Sequence, residues 1–311
     1  MMNTLRRLLS QATRLMIHQL IRSDQVLLKA VAVIVADRRG LEAVGKRVID
    51  DDRTFQAFAN VLLSKRAGYL TDRIRAMVDM TDVGMHNQSA RDRWIERTLS
   101  RIPAGSRVLD AGAGERQYQK YCGHLRYVSQ DLGEYTGIGD LVGLQTGKWD
   151  VRGLDIVGDI GAIPEQDGSF DAIMCTEVLE HLPDPLRALK EFSRLVRKGG
   201  VVVLTAPFCS LTHFAPFHYS TGFSRYYYRT HLEALGFVIE ELQPNGNYFD
   251  YLAQEVRRIP YVAERYVKAT RDGVDELATM VMLRVLDEYS KKGTTSSELL
   301  TFGWFVQARK A

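Results

Sequence analysis

Four carboxylates of this sequence stand where predicted strands end. Asp110 and Asp131 close the first two strands, Asp159 follows the third and Glu177 follows the fourth. Open α/β sheets bind ligands at the carboxyl ends of their strands, so we expect these side chains to share one edge of a sheet. Negative charge there repels phosphate groups and suits a ligand that carries an ammonium or a sulfonium.

Glycines at the turn after the first strand would let the backbone approach a ligand, because no Cβ stands in the way. The segment VLDAGAGERQY, residues 108–118, places Gly112 and Gly114 at this turn. A nicotinamide or flavin loop would carry a third glycine where Gln117 stands, and the Gly-Lys-Ser/Thr ending of a P-loop is absent. The loop therefore favours a ligand without a diphosphate.

An adenosine group fits the residues that follow the second and third strands. Asp131 can accept hydrogen bonds from both hydroxyls of a ribose, and Asp159 can accept one from an exocyclic amine. Ile160, beside it, can cover the face of a purine. Each residue alone is more often a cap or a turn residue, but their order on successive strands favours binding.

Three histidines are candidates for accepting a proton. His181 follows the fourth strand, while His213 and His218 lie after the fifth strand in a loop rich in aromatic residues and prolines. The aromatic rings suit stacking on a sugar or on another ring. The alternative is that each histidine packs or bonds at the surface, with His181 orienting backbone around the ligand.

From residue 103 onward, short apolar runs alternate with helical patterns, which is typical of a parallel sheet with crossover helices. The predicted strands are Arg107–Ala111, Tyr127–Asp131, Asp155–Val157, Phe170–Cys175, Gly200–Ala206, Phe237–Leu242 and Phe302–Ala308. A helical pattern follows the glycine loop. A further helix opens at Pro183 and Pro185 and is closed by Gly199 and Gly200. The fold class is α/β, with a doubly wound, mostly parallel, Rossmann-like sheet.

Two other regions read as helical. Residues 1–102 form an N-terminal helical region, and the domain at 103–311 carries a helical insertion at about 247–295, before the last strand. The insertion is too long for a plain connection, so it is either a lid over substrate or a surface for a homodimer. The N-terminal helix carries four arginines (Arg6, Arg7, Arg14 and Arg22). They fit an interfacial helix on anionic lipid, a mitochondrial presequence or a packed helix with a basic rim.

The composition excludes several classes of protein. With 45% hydrophobic and 25% charged residues, the chain is neither disordered nor fibrous, and a net charge of +3 without a basic run argues against a nucleic-acid partner. Three cysteines without a CxxC pair predict neither a disulfide framework nor structural zinc, and no metal-ligand spacing is visible. No apolar stretch approaches 18 residues. We expect a cytoplasmic protein, membrane-associated only if its N-terminal helix docks on lipid.

These segments together resemble the class I S-adenosylmethionine-dependent methyltransferases. The resemblance rests on VLDAGAG, an acid ending the second strand, GDI, SFDAIMCTEVLEHLPDP and LVRKGGVVVLTAP, and covers roughly residues 105–242 plus the last strand. It is closest to the group with E-V-L-E-H-L after the fourth strand, which includes small-molecule and sugar methyltransferases. It implies a seven-stranded sheet with a reversed last strand. One departure is Arg116, which stands at the last glycine of the family's D-x-G-x-G-x-G.

The resemblance also implies roles for particular residues. Asp110, Gly112 and Gly114 would flank the methionine part of the cofactor, Asp131 the ribose, and Asp159 with Ile160 the adenine, while Glu177 would lie near the methyl group. The predicted cofactor-binding set is Asp110, Ala111, Gly112, Gly114, Asp131, Leu132, Asp159, Ile160 and Glu177. The predicted catalytic residues are His213, His218 and His181.

The chemistry expected is transfer of the cofactor's methyl group to an oxygen of a small-molecule or carbohydrate acceptor, as in the polysaccharide pathways of bacterial surfaces. A sugar or aliphatic hydroxyl needs a general base, and no metal is required. The N/D-P-P-Y/F signature of amino-methyltransferases is absent after the fourth strand, where Thr176-Glu177-Val178-Leu179 stands. Two alternatives are methylation of a lipophilic, quinone-like ring at a membrane surface and a catalytically silent scaffold.

Overall fold

The computed structural model describes residues 81–269, 273–293 and 295–311. The helical pattern and the arginine-rich helix predicted for the first 80 residues lie outside these ranges. The chain divides into two units, of which one consists of Gly84–Leu252 and Tyr289–Ala311. The described residues of the other are 81–83 and those within Ala253–Glu288.

The first unit holds a seven-stranded sheet. Its strands are β1 (Arg107–Ala111), β2 (Arg126–Asp131), β3 (Ile156–Val157), β4 (Phe170–Thr176), β5 (Val196–Pro207), β6 (Phe237–Asn245) and β7 (Gly303–Lys310). They lie in the order β3-β2-β1-β4-β5-β7-β6. Strands β1 to β5 pair in parallel, and β7 runs antiparallel to both of its neighbours. The predicted fold class and the reversed last strand are confirmed.

Helices cover both faces of this sheet. The α-helices in the described ranges are α1 (Asn87–Leu99), α2 (Pro185–Leu195), α3 (Arg225–Ala234), α4 (Tyr248–Val262) and α5 (Gly273–Lys292). On one face, Trp94 of α1 stacks on Phe305 of β7 with ring centroids 5.0 Å apart. On the other face, α2 and α3 bury Phe192 and Tyr228 against the sheet. Helix α1 is thus part of the sheet unit, which begins at Gly84, whereas the sequence placed a domain boundary at residue 102.

The helix predicted after β4 is real but ends earlier than expected. Pro185 occupies its first turn, where a missing backbone N–H costs nothing, and the Asp184 carboxylate accepts a hydrogen bond from the backbone N–H of Arg187 at 3.0 Å. The helix stops at Leu195, because Val196 already pairs with Phe170 of β4. The glycine pair at residues 199 and 200 therefore lies within β5 and does not close the helix.

The helix expected after the glycine loop does not form. Residues 112–125 are all described, and their helical content is the 3₁₀ turn Gln119–Tyr121. This connection is too short for both a ligand loop and a crossover helix, and it buries Tyr118 in the core instead. Helix α1, which precedes β1 in the chain, covers this face of the sheet.

The described part of the other unit is helical, in the segment that the sequence predicted as an insertion. Its α5 buries Leu277, Met280 and Leu283. The guanidinium of Arg257 donates from Nε to the carbonyl oxygen of Val83 at 2.8 Å, and from Nη2 to that of Thr81. Among residues 81–269, 273–293 and 295–311, no helix combines the length and the hydropathy that a membrane span requires.

Candidate functional site

A cavity of about 470 Å³ lies at the carboxyl ends of β1, β2, β3 and β4. Seven of the nine predicted cofactor residues line it: Gly112, Gly114, Asp131, Leu132, Asp159, Ile160 and Glu177. These residues therefore share one edge of the sheet, as the sequence predicts, and their contacts with the cofactor stay a prediction. Asp110 and Ala111 do not line the cavity.

Both positions of the loop require glycine, because the backbone there has a positive φ angle and because a Cβ would clash with a neighbouring side chain. Gly112 has φ +76°, and a Cβ placed on it would come within 2.5 Å of the Val178 side chain. Gly114 has φ +48°, and its Cβ would meet the indole of Trp149 at 2.5 Å. Both φ values lie in the left-handed region that favours glycine. The loop can therefore present bare backbone to the cavity.

Arg116 adopts the backbone conformation that the missing third glycine of the motif would adopt. Its backbone adopts φ +58°, a left-handed value that is uncommon for a residue with a side chain. Its guanidinium Nη1 donates to the carbonyl oxygen of Gly153 at 2.6 Å, which fastens the loop to the segment before β3. The turn therefore keeps its conformation with arginine in place of glycine, and this departure from the family motif does not change the path of the loop.

Asp131 stands at the end of β2 and holds two loops in place. Its Oδ2 accepts a hydrogen bond from the backbone N–H of Gly114 at 2.9 Å, and its Oδ1 accepts one from that of Gly133 at 2.9 Å. Each carboxylate oxygen can accept a further bond. The side chain can thus tie the glycine loop to β2 and still accept from ligand hydroxyls in the cavity that it lines.

Asp110 lies below the cavity rather than in its wall. It is 2% exposed, and its Oδ2 accepts a hydrogen bond of 2.6 Å from the hydroxyl of Tyr127. Burial, with the negative charge of Asp131 added, raises the pKa of Asp110 to about 7, although the bond from Tyr127 works in the other direction. Ala111 is fully buried beside it. Neither side chain lines the cavity, so contact of these two residues with the ligand stays a prediction.

The residues after β3 form another wall of the cavity. Asp159 accepts a hydrogen bond from the backbone N–H of Gly161 at 2.8 Å and forms an ion pair of 2.9 Å with Arg187 of α2. Both charged side chains are about half exposed, so the pair is weak and the carboxylate can turn towards a ligand. Ile160 lies beside them and contributes an apolar surface.

The side chain of Glu177 is fixed by two partners that the sequence did not indicate. Its backbone adopts φ +54°, its Oε1 accepts a hydrogen bond from the hydroxyl of Thr205 at 2.9 Å, and its Oε2 lies 2.7 Å from the guanidinium of Arg91. Burial disfavours the charged guanidinium, but the negative charge of Glu177 outweighs it and raises the pKa of Arg91. Sequence reasoning missed Arg91, because it lies on α1, far from every motif.

Of the three predicted histidines, only His181 lines the cavity. The ring of His213 packs against it with centroids 4.7 Å apart, and the ring of His218 lies 5.0 Å from that of His213. Burial, with the two neighbouring imidazoles added, lowers the pKa of His181 to about 3, so its ring is neutral at physiological pH. Burial also lowers the pKa of His218.

A buried glutamate completes the histidine cluster. Glu180 is 1% exposed, and its Oε1 lies 3.6 Å from Nε2 of His181 and 3.9 Å from Nε2 of His213. Burial and the negative charge of Glu177 raise the pKa of Glu180 well above its usual value. This residue belongs to the E-V-L-E-H-L run that carries the family resemblance, but the sequence assigned it no role of its own.

Aromatic side chains form a further wall, of which the sequence indicated only the part in the loop after β5. Tyr135 stacks on Phe214 with centroids 4.4 Å apart, and the indole of Trp149 meets both rings edge-on. Phe214 also stacks on His181 at 5.0 Å. Two of these rings come from the long connection between β2 and β3, which has no regular pattern to place them. The wall suits a flat or lipophilic ligand next to the histidines.

Known proteins match parts of this chain. A family described as "Methyltransferase domain" matches residues 85–250, more than half of the 311 residues. The ubiquinone biosynthesis O-methyltransferase of Xanthomonas oryzae pv. oryzae (strain PXO99A) is 36% identical over 105 residues, which are 33% of this chain and 43% of that protein. Its counterpart in Leptothrix cholodnii is 32% identical over 121 residues, 37% and 49% of the two chains. The chain spans less than half the length of these curated relatives.

Solved structures also align with this chain, at low identity. A [4+2]-cyclase, SpnF, aligns with a TM-score of 0.44 at 17% identity, covering 72% of this chain and 82% of that one. A sarcosine dimethylglycine methyltransferase from Galdieria sulphuraria, itself described as putative, aligns with a TM-score of 0.42 at 14% identity, covering 78% and 89%.

Proposed function

Because the chain belongs to the family of class I S-adenosylmethionine-dependent methyltransferase domains, we propose that it transfers the methyl group of this cofactor to an oxygen of a small-molecule acceptor. One observation carries the proposal. A single cavity joins the glycine loop and the strand-end acids to a wall of aromatic rings and His181. Cofactor and acceptor could therefore meet within it.

The proposed placement of the cofactor follows the charges and shapes of the cavity wall. The ribose hydroxyls donate to Asp131, the adenine amine donates to Asp159, and Ile160 packs on the purine. The sulfonium lies towards Glu177, whose carboxylate Arg91 and Thr205 hold in one orientation. A fixed negative group near the sulfonium would stabilise the bound cation.

In the proposed reaction, a lone pair of the acceptor oxygen attacks the methyl carbon in line with the carbon–sulfur bond. That bond breaks, its electron pair returns to sulfur, and S-adenosylhomocysteine leaves. The acceptor hydroxyl must also lose its proton. We assign this step to the cluster of Glu180, His181, His213 and His218, in which His181 faces the cavity and the other two histidines stand behind it.

A hydroxylated aromatic ring is the acceptor that the surroundings favour. The wall of Tyr135, Trp149 and Phe214 offers flat apolar surface beside the histidines, and the relatives are named for ubiquinone biosynthesis. A sugar could also stack on such rings, so the carbohydrate acceptor expected from the sequence remains the second candidate.

The acceptor class can be tested with methyl-labelled S-adenosylmethionine. We expect label to enter a dihydroxybenzoate, used as a simple phenolic acceptor, and not a panel of free and nucleotide-linked sugars. If label entered only the sugars, the acceptor would be a carbohydrate and not an aromatic ring. The scaffold alternative predicts no heat on titration of S-adenosylhomocysteine. If heat were measured but no acceptor received label, the cofactor assignment would stand and the acceptor class would be overturned.

Replacement of Asp131 with alanine should weaken the binding of S-adenosylhomocysteine at least tenfold. The ribose hydroxyls lose a charged acceptor worth about 1.5–3 kcal/mol, and the glycine loop loses its tie to β2. Calorimetric titration measures the Kd. Glu134→Ala is the matched control, since Glu134 lines the same cavity, and we expect it to change the Kd far less. Equal Kd values for wild type and Asp131→Ala would refute the ribose assignment.

A further inference from the structure

Phe214 adopts a backbone conformation that its own side chain disfavours. Its φ angle is +54°, in the left-handed region where a bulky residue is rarely found. Such a conformation costs free energy and persists only where surrounding contacts enforce it, most often at functional sites. The contacts around Phe214 therefore indicate what its conformation serves.

Backbone hydrogen bonds from a distant part of the chain fix this conformation. The N–H of Phe214 donates to the carbonyl oxygen of Leu144 at 3.0 Å, and the N–H of Leu144 donates to that of Thr212 at 2.9 Å. The carbonyl oxygen of Ala215 accepts from the N–H of Asp140 at 3.1 Å. The connection between β2 and β3 therefore binds the loop after β5 on both sides of Phe214.

Four rings surround the ring of Phe214. Tyr135 stacks on it with centroids 4.4 Å apart and planes at 14°, and His181 stacks on it at 5.0 Å and 15°. Trp149 and His213 meet it edge-on at 5.2 and 5.4 Å. Offset-stacked and edge-to-face arrangements are the ones that aromatic pairs favour. The ring of Phe214 is therefore fixed in its plane and presents a fixed face to the imidazole of His181.

Two restraints are needed to keep the imidazole of His181 in one orientation. Its Nδ1 lies 2.5 Å from the carbonyl oxygen of Phe217, and Nδ1 donates in this bond because a carbonyl oxygen only accepts. The bond fixes the direction of one ring edge, but the ring can still tilt about it. A parallel ring against its face opposes that tilt, because tilting would break the stacked contact. Phe214 therefore supplies the second restraint.

We propose that Phe214 is a positioning residue, which holds the imidazole of His181 in the orientation that takes up the acceptor proton. The inference rests on the proposed function, in which His181 faces the acceptor. Phe214 also lines the cavity, but a phenyl ring has no atom that accepts a proton, so it acts through His181. A small misplacement of a reacting group lowers the rate strongly, because proton transfer requires hydrogen-bond reach.

Three substitutions in the full chain separate the ring of Phe214 from its backbone. Phe214→Leu removes the aromatic face and keeps apolar bulk, Phe214→Gly removes the side chain and suits the left-handed backbone, and Phe214→Tyr keeps the aromatic face. With methyl-labelled S-adenosylmethionine and a dihydroxybenzoate, we expect kcat to fall at least about tenfold in the first two variants. Phe214→Tyr should restore kcat to near the wild-type value.

Two controls accompany these variants. The Kd for S-adenosylhomocysteine should change far less than kcat in all three, because Phe214 is assigned to no cofactor group, and binding also shows that each variant is folded. Phe249→Leu is the matched control, since Phe249 is half-buried and its ring meets those of Tyr248 and Tyr289 outside the cavity. It should turn over like wild type.

An NMR signal of His181 tests the positioning without using activity. The Nδ1 proton that is bonded to the Phe217 carbonyl should exchange slowly with water and give a low-field signal, which His181→Ala identifies by its absence. We expect this signal in wild type and in Phe214→Tyr. In Phe214→Leu and Phe214→Gly, faster exchange should remove it, because the imidazole tilts away from the carbonyl.

The outcomes separate the two proposals. An unchanged signal in Phe214→Leu and Phe214→Gly would mean that the ring does not hold His181, and would overturn the inference. Loss of the signal with an unchanged kcat would overturn the role of Phe214 in methyl transfer and leave the proposed function intact. If wild type methylated no acceptor, the proposed function would fail, while the signal would still decide whether Phe214 holds the imidazole.

Discussion

Replacement of His181 with alanine should lower kcat for methyl transfer by about 10²–10⁴, the range expected when the group that handles the acceptor proton is removed. His181 is the one predicted histidine that lines the cavity, and its ring stacks on Phe214 of the aromatic wall. The Kd for S-adenosylhomocysteine should change far less, because the cofactor groups are assigned to other residues. Transfer of labelled methyl to the phenolic acceptor measures kcat, and calorimetry measures the Kd.

His124→Ala is the matched control for this experiment. Its ring lies before β2 and contacts the carbonyl oxygen of Ile102, away from the cavity, so turnover should match wild type. His218→Ala should cost less than His181→Ala, since His218 does not line the cavity. If His181→Ala turned over as fast as wild type, the histidine cluster would have no part in the reaction.

The cofactor end of the site could be predicted from sequence because it is encoded locally. Each strand-end acid follows an apolar run in the chain, and parallel strands bring their carboxyl ends to one edge. This reasoning placed Asp131, Asp159 and Glu177 at the cavity wall, with Gly112 and Gly114 between them. The positive φ angle of Arg116 could not be predicted in this way, because a side chain at that position disfavours a positive φ angle.

The aromatic wall and the partners of the acids could be predicted only in part, because they come from distant segments. Arg91 reaches Glu177 from a helix that precedes the sheet, and Trp149 comes from a connection without periodicity. The partnership of Glu180 with His213 is equally non-local. Asp110 shows another limit of prediction from sequence. It stands at the motif position expected for a cavity residue, but its side chain is buried under Tyr127 and does not reach the cavity. Burial depends on packing that strand patterns do not specify.

The buried carboxyl of Asp110 should make a contribution to stability that falls with rising pH, opposite in sign to that of carboxyls such as Glu165, whose pKa is lowered. The pKa of this carboxyl is about 7 in the folded protein against an ordinary value of 3.8. Between these values the unfolded chain ionises while the folded chain keeps its proton, so the folded state binds more protons and the free energy of unfolding decreases as pH rises. The full effect is on the order of 4 kcal/mol, since each pKa unit corresponds to about 1.4 kcal/mol.

Asp110→Asn removes this ionisation and keeps an oxygen that can accept from the Tyr127 hydroxyl. Relative to wild type, the variant should therefore gain stability steadily between about pH 4 and pH 7, and no further above that range. Denaturant unfolding at a series of pH values measures the difference. Glu233→Gln, an exposed carboxylate on α3, controls for the loss of one charge and should show no such trend. Parallel pH profiles for wild type and Asp110→Asn would mean that the carboxyl is ionised in the folded protein, held by Tyr127 strongly enough to overcome its burial.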